Sequence, residues 1–198
     1  MDNPSTLESV DTEIGARIKT LRAGRGFTLE ELAERSGVSR AMISRIERGE
    51  SSATAQLLNR LCVGLGITLS GLFARAEREA SSPLSRVADQ ATWRDPDSGY
   101  VRRRISPASA DGVLDLVDVV LPAGATVPLD TRSLKGADQL VYVLEGDLDM
   151  ILGEETTTLS TGDCLHMRFD TTNTFKNSSD RPVRYLVVLS LGRKASTQ

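Results

Sequence analysis

The sequence predicts a two-domain α plus β protein, with a five-helix domain first and a small antiparallel β-barrel second. Before about residue 75, apolar residues recur at helical spacing, as Ile14, Ile18 and Leu21 show. After about residue 98, short apolar runs alternate with turn residues, which is typical of antiparallel strands. The 198 residues suffice for two small domains. We expect domains at 10–75 and 99–192, joined by a linker at 76–98 that begins helical and ends in an edge strand.

Basic charge is concentrated in one short segment of the first domain. The whole chain has a net charge of -3, but residues 1–75 contain 10 Lys and Arg against 9 Asp and Glu, whereas residues 76–198 contain 14 against 18. Residues 39–48 contain three arginines and one glutamate. A focused basic segment of this kind suits contact with nucleic-acid phosphates.

The helices on either side of residue 37 have clear start and stop signals. Thr28 and Glu31 have the spacing of a capping box, in which each side chain binds the backbone of the other residue. Gly37 can take the left-handed conformation that ends a helix. Ser39 is a good cap for the next helix, and Gly49 ends it. The sequence therefore predicts two short helices joined by a tight turn.

The spacing inside this helix pair predicts a helix-turn-helix motif. Ala33 is a small residue for the helix contact, Gly37 reverses the chain, and Val38, Ile43 and Ile46 provide the buried side of the second helix. The alternative is an ordinary helical hairpin without a role in DNA binding. The coincidence of this spacing with the arginines favours DNA binding.

Residues 27–49 resemble the helix-turn-helix of lambda-repressor-like, or Xre-family, transcriptional regulators, and the resemblance extends from Ile14 to Phe73. It implies five helices and binding to double-stranded DNA. The sequence departs from the family pattern at Leu29, where a phosphate-binding glutamine is common, and at Ala53, where a proline is common.

In this motif the N-terminal residues of the second helix meet base edges in the major groove. Arg40 is the expected base reader, because a guanidinium can bind guanine O6 and N7 together. Arg45 and Arg48 are expected to contact a base or a phosphate. The predicted DNA-binding residues are Thr28, Ser39, Arg40, Ala41, Ser44, Arg45 and Arg48.

The resemblance also implies an ion pair between Arg22 and Glu47. In relatives, an arginine and a glutamate at these two positions form a buried pair that links the first helix to the recognition helix. Such a pair would serve the geometry of the motif more than its chemistry.

The second domain is predicted to contain short strands separated by tight turns. Gly146, Gly153 and Gly162 lie in the separating turns. Strands at this spacing indicate a small barrel or sandwich. The predicted strands cover residues 113–121, 140–144, 148–152, 163–167 and 183–189.

Residues 110–190 resemble a cupin, a jelly-roll-like barrel, through the segments 122–124, 141–147 and 162–163. The resemblance aligns the usual metal-binding positions of cupin enzymes with Asp130, Arg132, Gln139 and Asn173. Arg132 offers no lone pair and would repel a cation. One carboxylate and two amides are a poor ligand set for Zn, Fe, Mn or Ni. We therefore expect no metal and no cofactor.

The only histidine, His166, lies in a predicted strand between Leu165 and Met167 and on the opposite face from them. A hydrogen-bonded structural histidine is the expectation. The two cysteines, Cys62 and Cys164, are far apart in apolar contexts, so both are expected to be reduced core residues.

A barrel without its metal but with polar groups at the same inward positions suggests a pocket for a small polar or anionic effector. Alternation directs Arg102 and Arg104 to one face, either towards an anion or as part of a solvated edge strand. The alternative for the whole barrel is a dimerisation module with a filled interior. The candidate pocket residues are Arg102, Arg104, Asp130, Arg132, Gln139 and Asn173.

These observations predict a ligand-responsive transcriptional regulator rather than an enzyme. One recognition helix reads only a few base pairs, so we expect a homodimer on a palindromic operator. The N-terminus lacks the features of a signal peptide and no apolar run is long enough for a membrane span, so we expect a cytoplasmic protein without a membrane partner. The alternatives are a cupin isomerase or dioxygenase fused to a DNA-binding domain, and an antitoxin-like binding module.

Overall fold

The computed structural model describes residues 4–73, 83–107, 114–130, 137–168 and 171–191. These fall into two compact units. The first contains the described residues up to Phe73 together with Asp95–Asp97, and the second contains the rest. No helix in the described part of the chain is both long and apolar enough to cross a membrane.

The first unit is helical. Its elements are α1 (Pro4–Gly24), α2 (Leu29–Ser36), α3 (Arg40–Glu47), α4 (Ala55–Leu65) and α5 (Leu69–Leu72). The last of these is a single turn, so the prediction of five full helices is not confirmed.

The predicted caps of α2 and α3 are confirmed. The Thr28 hydroxyl accepts a hydrogen bond from the Glu31 backbone N–H, and the Glu31 carboxylate accepts one from the Thr28 N–H. Gly37 ends α2 with φ 63°, a left-handed value that favours glycine. The Ser39 side chain accepts from the Met42 N–H at the start of α3. Local sequence therefore fixes both ends of the turn between the two helices.

The core of the first unit is formed where α1 packs on α3 and where α2 packs on α3 and α4. Ile18, Ile43 and Leu58 are fully buried within it. The closest approach of backbones occurs at Gly15 on α1, where a Cβ atom would overlap the carbonyl oxygen of Ile46 on α3. Ala33, the small residue expected at a helix contact, is half-buried. Gly15 is therefore the residue that lets α1 pack directly against α3.

The described part of the second unit contains ten strands. They are β1 (Thr92–Arg94), β2 (Val101–Arg104), β3 (Leu114–Leu121), β4 (Thr126–Asp130), β5 (Ala137–Glu145), β6 (Leu148–Leu152), β7 (Glu155–Leu159), β8 (Cys164–Arg168), β9 (Thr172–Lys176) and β10 (Val183–Leu191). One sheet has the order β1-β2-β3-β10-β5-β8 and the other has the order β4-β9-β6-β7. Strand β1 falls within the predicted linker and pairs with β2 as an edge strand.

The described strands form two antiparallel sheets, and the prediction of a closed barrel is not confirmed. Hydrogen bonding in the larger sheet ends at β1 and β8, and in the smaller sheet at β4 and β7. The sheets are joined instead by side chains. The ring of Phe175 on β9 stacks on that of Tyr185 on β10, with centroids 5.5 Å apart.

Alternation along the strands separates an inner face from an outer face. On β5, Gln139, Val141 and Val143 are buried, whereas Leu140 and Tyr142, which alternate with them, are exposed. On β8, Met167 is buried, whereas Cys164 and His166 are exposed on the outer face. The prediction that Cys164 is a core residue is therefore wrong, because its strand position turns it outward.

Asn177 holds two loops of the second unit together. It is fully buried, and its Nδ2 donates to the carbonyl oxygens of Leu121, Pro122 and Arg181 at 3.1, 3.0 and 2.7 Å. Its Oδ1 accepts from the backbone N–H and the hydroxyl of Ser179 at 3.0 and 2.7 Å. The loop after β3 is thereby tied to the turn before β10.

Candidate nucleic-acid interface and inner face of the β domain

Helix α3 presents the predicted DNA-binding residues to solvent. Ile43 and Ile46 are 0% and 2% exposed and fix the inner side of the helix. The opposite side therefore has to face outward. Ser39, Arg40, Ala41, Arg45 and Arg48 are exposed and Ser44 is half-buried.

Arg40, the expected base reader, is paired with a carboxylate of the neighbouring helix. Its Nε lies 2.7 Å from Oε1 of Glu30 on α2, and the two side chains are 65% and 62% exposed. An exposed pair of this kind contributes little to stability, so the guanidinium can exchange partners at low cost.

Arg48 is held more firmly. It donates from Nε and Nη2 to the two carboxylate oxygens of Glu50, at 2.6 and 2.7 Å, and from Nη1 to the hydroxyl of Ser44. The hydrogen bond from Arg48 lowers the pKa of Glu50, and that carboxylate in turn raises the pKa of Arg48. Contact with DNA would require Arg48 to leave this carboxylate.

Thr28 is exposed, but its hydroxyl is already used. It accepts from the Glu31 N–H at 3.1 Å and donates to Glu31 Oε2 at 3.0 Å. The backbone N–H of Thr28 and then its hydroxyl lower the pKa of Glu31. A second acceptor such as a phosphate would have to compete with this capping box.

The predicted ion pair between Arg22 and Glu47 is confirmed. Two hydrogen bonds of 2.6 and 2.8 Å join the guanidinium to the carboxylate, whose side chains are 14% and 6% exposed. A third runs from Arg22 Nη1 to the Phe27 carbonyl oxygen at 2.8 Å. Arg22 therefore connects α1, the start of the motif and the recognition helix.

Two further contacts of the first unit have no sequence signal. Arg60 on α4 donates from Nε to the Ser36 carbonyl oxygen at 3.2 Å and also binds the Gly37 carbonyl oxygen, at the end of α2. The carboxylate of Asp95 accepts from the Ala55 N–H at 2.8 Å, at the start of α4. The second contact joins residues 40 positions apart, a separation that local pattern analysis does not address.

On the inner face of the second unit, Gln139 and Asn173 come from opposite sheets. They are 7% and 1% exposed, and Gln139 Nε2 lies 3.5 Å from Met167 Sδ. Asp130, at the end of β4, is half-buried. Arg132 lies outside the described residues.

Arg102 and Arg104 also lie on the inner side of their strand. Arg102 is 4% exposed, and β2 lies between β1 and β3, so the alternative of a solvated edge strand is wrong. Arg104 donates to Asp115 at 2.7 Å, and that carboxylate also accepts from Ser106 at 2.5 Å. Burial raises the pKa of Tyr185, and the charge of Arg102 opposes this shift.

The described residues offer no obvious transition-metal site. They contain no group of three or more His, Cys, Asp or Glu side chains close enough to share an ion. Asp130, Gln139 and Asn173 provide one carboxylate and two amides, a poor donor set for such metals. His166 is on the outer face, where its Nε2 lies 3.2 Å from Asp138 Oδ1.

Comparison with known families agrees with both units. Residues 18–72 match the family model described as Helix-turn-helix, and residues 117–189 match the Cupin domain model. The HTH-type transcriptional regulator SutR of Escherichia coli (strain K12) is 28% identical over 90% of this chain and 95% of its own. The crystal structure of an HTH_3 family transcriptional regulator from Vibrio cholerae has a TM-score of 0.76 at 26% identity, covering 94% of this chain and 99% of that one.

The first unit is also similar to SinR of Bacillus subtilis (strain 168), which is 37% identical over 60 residues that make up 30% of this chain and 54% of SinR. The fold and both matches define a helix-turn-helix regulator with a C-terminal cupin domain. Residues 18–72 form an Xre-like helix-turn-helix domain and residues 117–189 a C-terminal cupin domain, and SutR is a homologue over most of the chain.

Proposed function

We propose that this chain is a cytoplasmic, homodimeric transcriptional regulator that binds a palindromic operator through α3 and a small effector through its cupin domain. The DNA-binding domain would span residues 10–75, the linker 76–98 and the sensor domain 99–192. The observation that carries the proposal is the exposed, arginine-bearing side of α3. The buried residues Ile43 and Ile46 and the ion pair of Glu47 fix its orientation.

The role proposed for each residue of α3 follows from its position along the helix. Arg40 lies on its first turn, where side chains of a recognition helix meet base edges, so it is assigned to a guanine. Arg45 and Arg48 lie later on the helix and serve as base or phosphate contacts. Ser39, Ala41 and Ser44 line the same side, and Thr28 approaches the backbone from the start of α2.

The effector site is proposed on the inner face of the cupin domain. Arg102, Gln139 and Asn173 are buried polar residues there, and burial of such groups is favourable only when they are hydrogen-bonded. A planar guanidinium suits a carboxylate or phosphate group. Arg102 is proposed as the anchor for an anionic effector because it is 4% exposed on the inner face; Arg104, on the same side of β2, is paired with Asp115. Asp130 is opposite Thr172 in register, on the other face of β4 from the pair of Leu129 and Asn173, so it is not assigned to the site. Arg132 lies outside the described residues.

A regulator is favoured over an enzyme by the relatives that cover most of this chain, which are named as transcriptional regulators. The donor set of Asp130, Gln139 and Asn173 also suits hydrogen bonding better than metal catalysis. Elemental analysis of the purified chain separates the two, because one equivalent of Fe, Mn, Ni or Zn would favour the cupin isomerase or dioxygenase.

DNA recognition is tested by selection of bound sequences from a random duplex pool with the full-length chain. The expected result is enrichment of one site with two-fold symmetry, whose half-sites are about one helical turn apart. A pool that remains random would contradict the proposal. Combined Arg40→Ala and Arg45→Ala substitution is the matched control, and it is expected to abolish the enrichment.

Effector binding is tested by a thermal-shift screen of carboxylates, amino acids and sugar phosphates. Stabilisation by a hit should be lost in Arg102→Met and kept in Arg103→Met, because these neighbouring residues face opposite sides of β2. A hit that survives Arg102→Met would place the effector elsewhere. The same compound should change operator affinity, since regulation needs a difference in binding between two states.

A further inference from the structure

The outer face of the six-stranded sheet exposes large apolar side chains. Five large hydrophobic residues are exposed among the described residues, and three of them, Leu114 at 61%, Leu140 at 39% and Tyr142 at 39%, share this face. Their strands β3 and β5 flank β10, which brings its own outward residues between them. The exposed apolar side chains therefore form one surface rather than scattered points.

Register shows that this surface is continuous. Leu116, Val188 and Leu140 lie side by side in one row across three strands, and Leu186 and Tyr142 lie side by side in the next row. Side chains in adjacent strands at these positions are close enough to touch. We call the set the apolar face: it consists of Leu114, Leu116, Leu140, Tyr142, Leu186 and Val188.

Charged groups of both signs border the apolar face at opposite corners. At one corner Asp118 accepts from Arg103 at 2.5 Å and from Arg184 at 2.9 and 2.8 Å. At the other corner His166 lies 3.2 Å from Asp138. An apolar centre with a mixed polar border is the usual anatomy of a protein–protein interface.

We propose that the apolar face is the surface through which two copies of this chain form the homodimer. This inference rests on the proposed function in one respect, that the regulator acts as a dimer. A two-fold interface brings the same patch of both copies together, so the apolar centre of one copy contacts the apolar centre of the other. The polar and charged groups at both corners give the second copy acceptors and donors to pair with.

Segments of the chain itself are poor candidates to cover this face. The parts outside the described residues are 1–3, 74–82, 108–113, 131–136, 169–170 and 192–198. Their large apolar residues are Met1, Val113, Leu134 and Phe169, which belong to four different segments. No segment therefore supplies two large apolar side chains, which an occupant of a continuous apolar surface would need.

The size of the face also suits a dimer. Three strands and three rows of side chains measure about 14 by 20 Å. A stable interface buries about 800 Å² on each partner. The apolar face would supply about a third of that area as its centre, and the bordering polar and charged residues would supply much of the remainder.

The test is sedimentation equilibrium of the full-length chain and three variants. Leu140→Glu and Tyr142→Glu place a charge in the apolar face. Val87→Glu is the matched control, because Val87 is 72% exposed and lies outside the face. Wild type and Val87→Glu should sediment as dimers of the 21.4 kDa chain. Each face variant should raise the dissociation constant by about 100-fold or more.

A second measurement needs no substitution and therefore cannot be confounded by misfolding. Hydroxyl-radical labelling of Tyr142 in the wild type should fall several-fold when the protein concentration rises above the dissociation constant. Labelling of Val87 should not change. Unchanged labelling of Tyr142 in a concentration-dependent dimer would overturn the proposal.

The outcomes separate this inference from the proposed function. If the wild type is a dimer that binds DNA and both face variants dimerise as tightly as the wild type, the assigned surface is wrong. The proposed function as a regulator would still stand. A wild-type chain that is monomeric both free and on its selected site would overturn the dimer itself. Protection of Tyr142 only by a different co-purifying protein would identify the face as a heterologous interface and would also overturn the proposal.

Discussion

Glu47 binds the guanidinium of Arg22 with both carboxylate oxygens, at 2.6 Å from Nε and 2.8 Å from Nη2, and so fastens the recognition helix to α1. The hydrogen bond that Arg22 donates to Glu47 raises the pKa of Arg22, so the guanidinium stays charged throughout the accessible pH range. Because both side chains are largely buried, loss of either one leaves the other charge without its counterion.

We expect Glu47→Ala to lower the free energy of unfolding of the first unit by about 3 kcal/mol, since Arg22 would remain as an uncompensated, largely buried cation. The double variant Arg22→Met with Glu47→Leu should recover most of the loss, because an apolar pair of similar size removes both charges together. Denaturant unfolding followed by helical circular dichroism measures both. If the single and the double variant are destabilised equally, the loss of stability comes from altered packing and not from the unpaired charge.

Arg40→Ala is expected to weaken binding to the selected operator by about 1–3 kcal/mol and to relax preference at one base pair. The reason is the loss of two hydrogen bonds to one guanine. Fluorescence anisotropy on operator variants measures the effect, with Arg181→Ala as control because that side chain is 90% exposed in the second unit. A uniform loss on all sequences would identify Arg40 as a phosphate contact instead.

Glu30→Gln is expected to strengthen operator binding by up to about fivefold. Glu30 holds Arg40 at 2.7 Å in the free protein and also brings a negative charge towards the phosphates. Exposed pairs of this kind are worth about 0–1 kcal/mol, which sets the upper limit. The control is Glu34→Gln, an exposed carboxylate on the same helix. A similar gain from both variants would show a general effect of charge rather than release of Arg40.

Asp118→Asn is expected to destabilise the second unit at neutral pH by about 1 kcal/mol, and the difference from wild type should shrink in acid. The hydrogen bonds from Arg184 and Arg103 hold the pKa of Asp118 below its ordinary value of 3.8. A carboxyl group whose pKa is lower in the folded state stabilises the fold at pH values above its unfolded-state pKa. This stabilisation is lost as the pH falls through its folded-state pKa. The pH window is therefore below about 4.

The fluorescence of Trp93, which is buried in β1, reports this unfolding in urea at pH 7 and pH 3. Asp180→Asn is the control, since that side chain is 94% exposed and its contact with Arg181 is 3.7 Å long. If Asp118→Asn lowers the free energy of unfolding equally at both pH values, the arginines do not stabilise the fold through the charge of Asp118.

The sequence predicts the local features of the helix-turn-helix well. The capping box at Thr28, the left-handed Gly37 and the outward side of α3 each depend on residues within one or two turns of each other. The pair of Arg22 and Glu47 spans 25 positions, and only the family resemblance indicates it.

Contacts between distant elements are harder to predict because strand register and helix crossing decide them. The pairing of Arg40 with Glu30 depends on how α2 and α3 cross, and that of Arg104 with Asp115 depends on the alignment of β2 with β3. The requirement for Gly15 arises only where two helices approach. The outward direction of Cys164 could have been found from alternation with Met167, the same argument that places His166 correctly.

Asn177 has a consequence for the chemical ageing of this protein. Its Nδ2 has two hydrogens that serve three carbonyl oxygens. Hydrolysis of the side-chain amide, which consumes one water molecule and releases ammonia, would leave a carboxylate of nearly the same size without the two donor hydrogens. Three carbonyl oxygens would then face that carboxylate in a fully buried site. Loss of this one nitrogen atom would therefore remove the hydrogen bonds that hold both loops.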